Sequence, residues 1–150
     1  MAPQAVSEEH LRQIEPKLQR PTVRYTVATP KSIAEADCLI IDCYGLLSSI
    51  YRYATIAYVG GGFGVGIHNL PEAAVYGVPV SIGPNKQKFR EARALLANGG
   101  CREITGATDF EKIMTLFLTD KEQLQQAGKA ADEYIRQSAG ATDLILETME

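Results

Sequence analysis

The chain has 150 residues, 45% of them hydrophobic and 22% charged, which is typical of one soluble globular domain and excludes a disordered segment. Its net charge of −3 provides no basic field, so we expect no nucleic-acid partner. No apolar run approaches the roughly 20 residues that span a bilayer, and the N-terminus lacks a signal-peptide pattern.

Cysteine and histidine are too sparse for a metal site. Cys38, Cys43 and Cys101 lack C-x-x-C spacing and predict reduced core thiols of a cytosolic protein. The only histidines are His10 and His68, whereas a zinc site usually needs three or four protein ligands. We therefore expect neither a metal nor a cofactor.

The N-terminal third of the chain predicts alternating helices and strands. Ser7 suits the cap of a helix whose apolar face recurs at Leu11, Ile14 and Leu18. Pro16 should end this helix. The elements predicted next are a strand over residues 22–27, a short helix or turn over 32–37, a buried strand over 38–41 and a helix over 46–53.

A glycine-rich loop follows the next predicted strand, residues 55–59. Its glycines are Gly60, Gly61, Gly62, Gly64 and Gly66. His68 comes next, and Asn69 is predicted to begin a helix that runs to Tyr76 and ends at Gly77. A strand that leads through a glycine loop into a helix presents N–H groups and a positive dipole end. The loop therefore predicts a site for a phosphate or a carboxylate.

The rest of the chain continues the alternation. The predicted elements are a strand over 78–82, a turn over 83–85, an amphipathic helix over 86–98, a strand over 101–104, and three helical segments that end with one over 142–149. Thr108 and Glu111 predict a capping box, Asp120 a helix cap, and Gly140 an interruption.

This order predicts an α/β fold with a Rossmann-like parallel sheet flanked by helices. Sites in such sheets lie beyond the carboxyl ends of the strands. The glycine loop, Asp42 and the turn over 83–86 should all lie at that edge.

Two common phosphate-binding motifs do not fit the glycine loop. Reading from Gly60, Gly62 or Gly64, the last position of the dinucleotide pattern G-x-G-x-x-G is not glycine. No Gly-Lys-Ser or Gly-Lys-Thr follows, which excludes the P-loop.

Structural roles are the alternative for each candidate residue. Glu72 could close a capping box with Asn69, and His68 could be a partly buried histidine whose hydrogen bonds are satisfied. The face that carries Lys86, Arg90 and Arg93 is typical of a solvated surface, although Lys86 stands beside the loop.

A longer pattern of residues carries a family resemblance. Its matched positions are Asp42, Gly45, Leu47, Ala57, Val59, Gly60, Gly61, Gly66, His68, Asn69, Glu72, Gly77, Pro79, Val80, Gly83 and Pro84. In this order and spacing, within residues 38–95, the chain resembles the C-terminal half of the 3-deoxy-D-manno-octulosonic acid (Kdo) transferases. These are GT-B glycosyltransferases of lipopolysaccharide biosynthesis.

The resemblance implies a binding site for the donor CMP-Kdo. The glycine loop and the helix start would receive the phosphate, and Glu72 would accept hydrogen bonds from the ribose hydroxyls. The substrate-binding residues implied in this way are Gly61, Gly62, Gly64, Gly66, His68, Asn69 and Glu72. No catalytic residue is expected in this chain, because the family's proposed base lies on its N-terminal domain.

The resemblance also implies that the chain is a partial domain. Family members carry a leading strand, a helix and an N-terminal half that binds the lipid A precursor at the cytoplasmic face of the inner membrane. We therefore expect a single donor-binding fragment, inactive alone, whose open sheet edge favours self-association. Pro3-Gln4-Ala5 stands where relatives have a basic or histidine-containing turn, and Leu46 where many have glutamate.

Two other functions fit the same residues. One is a different GT-B enzyme that uses a UDP-sugar. The other is a non-catalytic nucleotide-binding module, whose glycine loop would only turn the chain.

Overall fold

The computed structural model describes residues 1–3, 6–64 and 66–147, with side chains described as far as Ser138. The chain divides into two compact units, Met1–Ile50 and Tyr51–Glu150. Each unit contains its own parallel sheet, of two and of three strands. The predicted α/β class with parallel strands is confirmed, whereas the single-domain organisation stays a prediction.

The first unit pairs two short strands between helices. In chain order its elements are α1 (Glu8–Ile14), β1 (Thr22–Arg24), α2 (Pro30–Glu35), β2 (Cys38–Ile40) and α3 (Leu47–Ile50). Ser7 caps α1 as predicted, since its side chain accepts the N–H of His10 at 3.2 Å. Strand β1 is shorter than predicted because Tyr25–Val27 form a 3-10 turn.

The second unit carries the larger core. Its elements are a 3-10 helix (Tyr51–Tyr53), β3 (Ala57–Val59), α4 (Pro71–Ala74), β4 (Val80–Ile82), α5 (Arg90–Asn98), β5 (Cys101–Glu103), α6 (Ala107–Thr119) and α7 (Lys121–Glu147). The strand order is β3-β4-β5, and every residue of the central strand β4 is buried. All three strands lie within their predicted ranges.

The predicted starts of α5 and α6 are wrong. Helix α6 begins at Ala107 after Gly106, without a side-chain cap, so the box predicted at Thr108 is not formed. Thr108 lies inside the first turn. The side chain that organises this region is Asp109, which accepts the N–H and the hydroxyl of Thr105. Helix α5 likewise begins at Arg90 rather than at residue 86.

The last helix is longer than predicted. Asp120 caps it as expected, since its Oδ1 accepts the N–H groups of Glu122 and Gln123. The predicted interruption at Gly140 is wrong, because α7 continues to Glu147. One glycine costs a helix only about 1 kcal/mol, which is too little to stop it. The predicted end at Met149 lies outside the described residues. No helix in the described part of the chain is long and apolar enough to cross a membrane.

Close backbone packing joins α7 to the rest of the second unit. A Cβ atom at Gly128 would lie 2.4 Å from the carbonyl oxygen of Gly77, just after α4. A Cβ atom at Gly100 would lie 2.7 Å from the backbone nitrogen of Ala131. Helix α7 therefore lies against the turn after α4 and the start of β5 at distances that only glycine permits.

We expect Gly128→Ala to destabilise the protein by about 1–2 kcal/mol, although alanine is the better helix former. The overlap with the carbonyl of Gly77 forces a backbone shift whose cost exceeds the helix-propensity gain. Thermal or urea unfolding measures the effect. The exposed neighbour Lys129→Ala is the control, with a change within about 0.5 kcal/mol. Equal stability of the two variants would contradict the packing described here.

Candidate functional site at the glycine loop

The glycine loop after β3 closes on the carbonyl oxygen of Gly61. This oxygen accepts the N–H of Gly64 at 2.9 Å and that of Gly66 at 3.2 Å. The carbonyl of Gly60 accepts the N–H of His68 at 3.2 Å. Gly61 has a φ of +90°, and a Cβ atom there would lie 2.0 Å from the oxygen of Gly66. Only glycine can occupy this position.

The loop packs directly on the turn that follows β4. A Cβ atom at Gly62 would lie 2.6 Å from the backbone of Gly83, and the reverse contact is equally short. Asn85 donates its backbone N–H to the carbonyl of Gly62 at 2.8 Å and its side-chain Nδ2 to that of Gly64 at 2.6 Å. The predicted meeting of loop and turn at the carboxyl ends of neighbouring strands is confirmed.

Several N–H groups of the loop are already bonded within the loop, and others are not. Those of Gly64, Gly66 and His68 bond to carbonyls within the loop. The N–H groups of Gly62 and Phe63 have no acceptor among the described residues. The tip of the loop therefore has two neighbouring N–H groups that no described residue accepts.

His68 lies beside the loop with an unengaged imidazole. Its side chain is half-buried, and Nε2 would lie 3.2 Å from a Cβ atom at Gly61. Neither ring nitrogen has a hydrogen-bond partner in the described part of the chain. This arrangement does not support the alternative of a satisfied structural histidine, and it leaves the ring able to contact a ligand.

The predicted helix cap at Asn69 is wrong. Helix α4 covers only Pro71–Ala74, and Leu70 occupies its N-cap without a side-chain bond. Asn69 instead donates its Nδ2 to Oε1 of Glu72 at 2.6 Å. No capping box forms, because the side chain of Asn69 bonds to the carboxylate of Glu72 and accepts no backbone N–H of the helix. The half-buried Glu72 is therefore oriented by Asn69 and not by the helix end.

Tyr51 is a neighbour of Glu72 that the sequence did not reveal. Burial raises the pKa of Tyr51, and the negative charge of Glu72 raises it further. The adjacent Arg52 places its guanidinium 5.8 Å from the ring centroid of Tyr76. The 3-10 helix thus contacts α4 from a distant part of the sequence, where no local pattern could indicate the pairing.

A cavity of about 280 Å³ opens beside these residues. It is lined by Ile67, His68, Asn69, Leu70, Pro71, Phe89, Glu91 and Ala92. The ring of Phe89 lies against the backbone of Gly66, where a Cβ atom would come within 2.8 Å. The predicted amphipathic helix over 86–98 includes Phe89, but the sequence did not indicate this contact with the loop.

The cations near the loop are not all available. Lys86 is 16% exposed and forms an ion pair with Glu103, at the end of β5. Arg90 and Arg93 are exposed, as expected of a solvated face. Among the described residues, no group of three or more His, Cys, Asp or Glu side chains is placed to hold a metal.

Asp42, predicted near the loop, has its own partner in the first unit. Its carboxylate accepts the N–H of Thr26 at 2.9 Å and the Thr26 hydroxyl at 2.6 Å. Partial burial raises the pKa of Asp42, but these hydrogen bonds outweigh it, so the pKa lies below its usual value. Gln4 and Ala5, where the sequence departs from a basic turn, lie outside the described residues.

The sequence is similar to curated transferases over most of its length. It is 31% identical to the 3-deoxy-D-manno-octulosonic acid transferase of Aquifex aeolicus over 100 residues, and 30% identical to that of Chlamydophila psittaci over 118. These matches cover 65% and 77% of this chain but 28% and 27% of the relatives. The predicted resemblance to the Kdo transferases is confirmed. The chain spans about a quarter of these relatives' length, and no protein-family model matches it.

A solved structure has the same fold as this chain. The crystal structure of the C-terminal CMP-Kdo binding domain of WaaA from Acinetobacter baumannii aligns with a TM-score of 0.74. The alignment covers 85% of this chain and 67% of that one, at 23% sequence identity. It confirms the predicted Rossmann-like α/β fold.

The contact between loop and turn gives a matched pair of substitutions. Gly62→Ala should destabilise the protein by about 1–3 kcal/mol, because the new methyl group overlaps the backbone of Gly83. Gly64→Ala should change little, since a Cβ atom there meets nothing closer than 3.9 Å. Urea unfolding compares the two. A larger loss for Gly64→Ala would refute the packing of the loop.

Proposed function

We propose that this chain is the donor-binding part of a glycosyltransferase that moves Kdo from CMP-Kdo to a lipid A precursor. The observation that carries the proposal is the joint placement of the glycine loop, His68 and the Asn69–Glu72 pair in a chain related to the Kdo transferases. The residues proposed to bind the donor are Gly61, Gly62, Gly64, Gly66, His68, Asn69 and Glu72.

The loop tip is the proposed site of the donor phosphate. The N–H groups of Gly62 and Phe63 can donate to phosphate oxygens, as can that of Glu72 in the first turn of α4. His68 adds a further donor, because a neutral imidazole carries one N–H and a protonated one carries two. In this site dipoles and a histidine, rather than a metal, offset the negative charge of the phosphate.

Glu72 is the proposed partner of the ribose hydroxyls. A carboxylate only accepts hydrogen bonds, and two oxygens are present to do so. Asn69 occupies one of them, whereas the other has no donor among the described residues. Since the pair with Asn69 already orients the carboxylate, a ribose hydroxyl can bind it without ordering a free side chain.

The proposed reaction needs a second domain. Direct attack by an acceptor hydroxyl on the donor inverts the configuration and requires a base, which the resemblance locates on the N-terminal half of the parent enzyme. This chain would hold the CMP leaving group. It should therefore bind donor nucleotide but transfer no Kdo alone. The parent enzyme would act at the cytoplasmic face of the inner membrane, where the acceptor lipid lies.

Calorimetric titration with CMP, UDP and NAD tests the proposal. We expect CMP to bind more tightly than UDP, and NAD not to bind. Tighter binding of UDP would replace the Kdo assignment with a GT-B enzyme that uses a UDP-sugar. Failure of all three nucleotides to bind would leave an interaction module as the better interpretation.

Glu72→Ala separates a ligand role from a structural one. We expect CMP affinity to fall about 10- to 100-fold, because a charged hydrogen-bond acceptor is lost. The melting temperature should hardly change, since Glu72 makes no helix cap. Glu122→Ala, a first-turn acid on α7, is the control and should bind CMP like the parent chain. A loss of stability without a loss of affinity would contradict the ribose assignment.

A further inference from the structure

Asn85 is an exposed residue that donates to two carbonyls of the glycine loop, to one from its backbone and to the other from its side chain. Its backbone N–H bonds to Gly62 at 2.8 Å, and its Nδ2 bonds to Gly64 at 2.6 Å. These two carbonyls flank the tip at Phe63. One residue outside the loop thus fixes the loop on both sides of its tip.

The two hydrogen bonds of Asn85 affect the direction in which the dipoles of the loop point. A carbonyl oxygen that faced a bound phosphate would repel it, whereas an N–H group attracts it. By bonding to the carbonyls of Gly62 and Gly64, Asn85 keeps both oxygens engaged away from a ligand. The N–H groups of Gly62 and Phe63 have no acceptor among the described residues, so they can donate to a ligand.

The turn that carries Asn85 is itself fixed. Lys86 is nearly buried and pairs with Glu103 at the end of β5, and its carbonyl accepts the N–H of Phe89 at 2.9 Å. Gly83 lies in backbone contact with Gly62. Asn85 therefore contacts the loop from a segment that is itself held in place, so it can fix the position of the loop.

We propose that Asn85 is a positioning residue that holds the glycine loop in the form that receives the phosphate of a nucleoside monophosphate. This inference rests on the proposed function. It assigns to Asn85 no contact with the donor, and it predicts that loop order and donor affinity change together when the Nδ2 donor is removed.

Asn85→Asp is the sharpest test. Aspartate keeps the size and the backbone N–H but cannot donate to the carbonyl of Gly64. Asn98→Asp is the matched control, because Asn98 is also exposed and its Nδ2 donates to a backbone carbonyl, that of Ala130, at 2.8 Å. Hydrogen exchange of the Gly64 and Gly66 amides is measured by NMR without nucleotide, and CMP affinity by calorimetry.

We expect Asn85→Asp to speed exchange of these two amides about five- to tenfold and to weaken CMP binding by a similar factor. Asn98→Asp should change neither quantity. Glu72→Gln should weaken CMP binding but leave the exchange rates unchanged, which separates the loop brace from the ribose contact.

The exchange measurement distinguishes a failure of the bracing role from a failure of the donor assignment. Unchanged exchange in Asn85→Asp would overturn the bracing role, whether or not CMP binds. Faster exchange with unaltered CMP affinity would also overturn it, because the loop order would then not matter for the phosphate. If the parent chain binds no CMP, the proposed function fails and the positioning role for a nucleotide fails with it, whatever the loop exchange.

Discussion

The candidate site depends on one close approach, between the backbones of Gly62 and Gly83 at the carboxyl ends of β3 and β4. A Cβ atom on either residue would fall 2.6 Å from the other's backbone. This contact brings Asn85, two residues after Gly83, within hydrogen-bonding distance of the carbonyls of Gly62 and Gly64. The identity of two glycines therefore decides whether the amides at the tip are presented at all.

Glu72 owes its position to tertiary contacts rather than to its helix. Helix α4 has only four residues, too few to be stable by hydrogen bonding alone. It is held by the approach of Gly77 to Gly128 on α7 and by the contact of Arg52 with Tyr76. The carboxylate is then oriented by Asn69. The geometry of this acid is consequently linked to the packing of the C-terminal helix, although none of that helix's described side chains lines the cavity beside the loop.

The sequence predicted the strands and the meeting of the glycine loop with the turn after β4, but not the side-chain partners within the candidate site. Buried strands and a glycine loop leave local patterns, because apolar runs and φ > 0 positions restrict residue type. Asn69 and Thr108 both had the spacing of helix caps, yet Asn69 bonds to a side chain and Thr108 lies inside a helix turn. The contacts of Asn85 and Tyr51 join segments distant in sequence, and no spacing rule encodes them.

The groups available to meet a negative charge explain why an ordered loop matters in the proposed donor site. Lys86 is the cation next to the loop, but its ammonium group is committed to Glu103 and nearly buried. A phosphate at the tip would therefore be met by amide dipoles and His68 rather than by a lysine that can move toward it. Dipoles stabilise an anion well only when they are already oriented, because the free energy needed to reorient them offsets much of the stabilisation that they provide. In such a site, the contact between Gly62 and Gly83 and the hydrogen bonds of Asn85 hold the loop in one conformation.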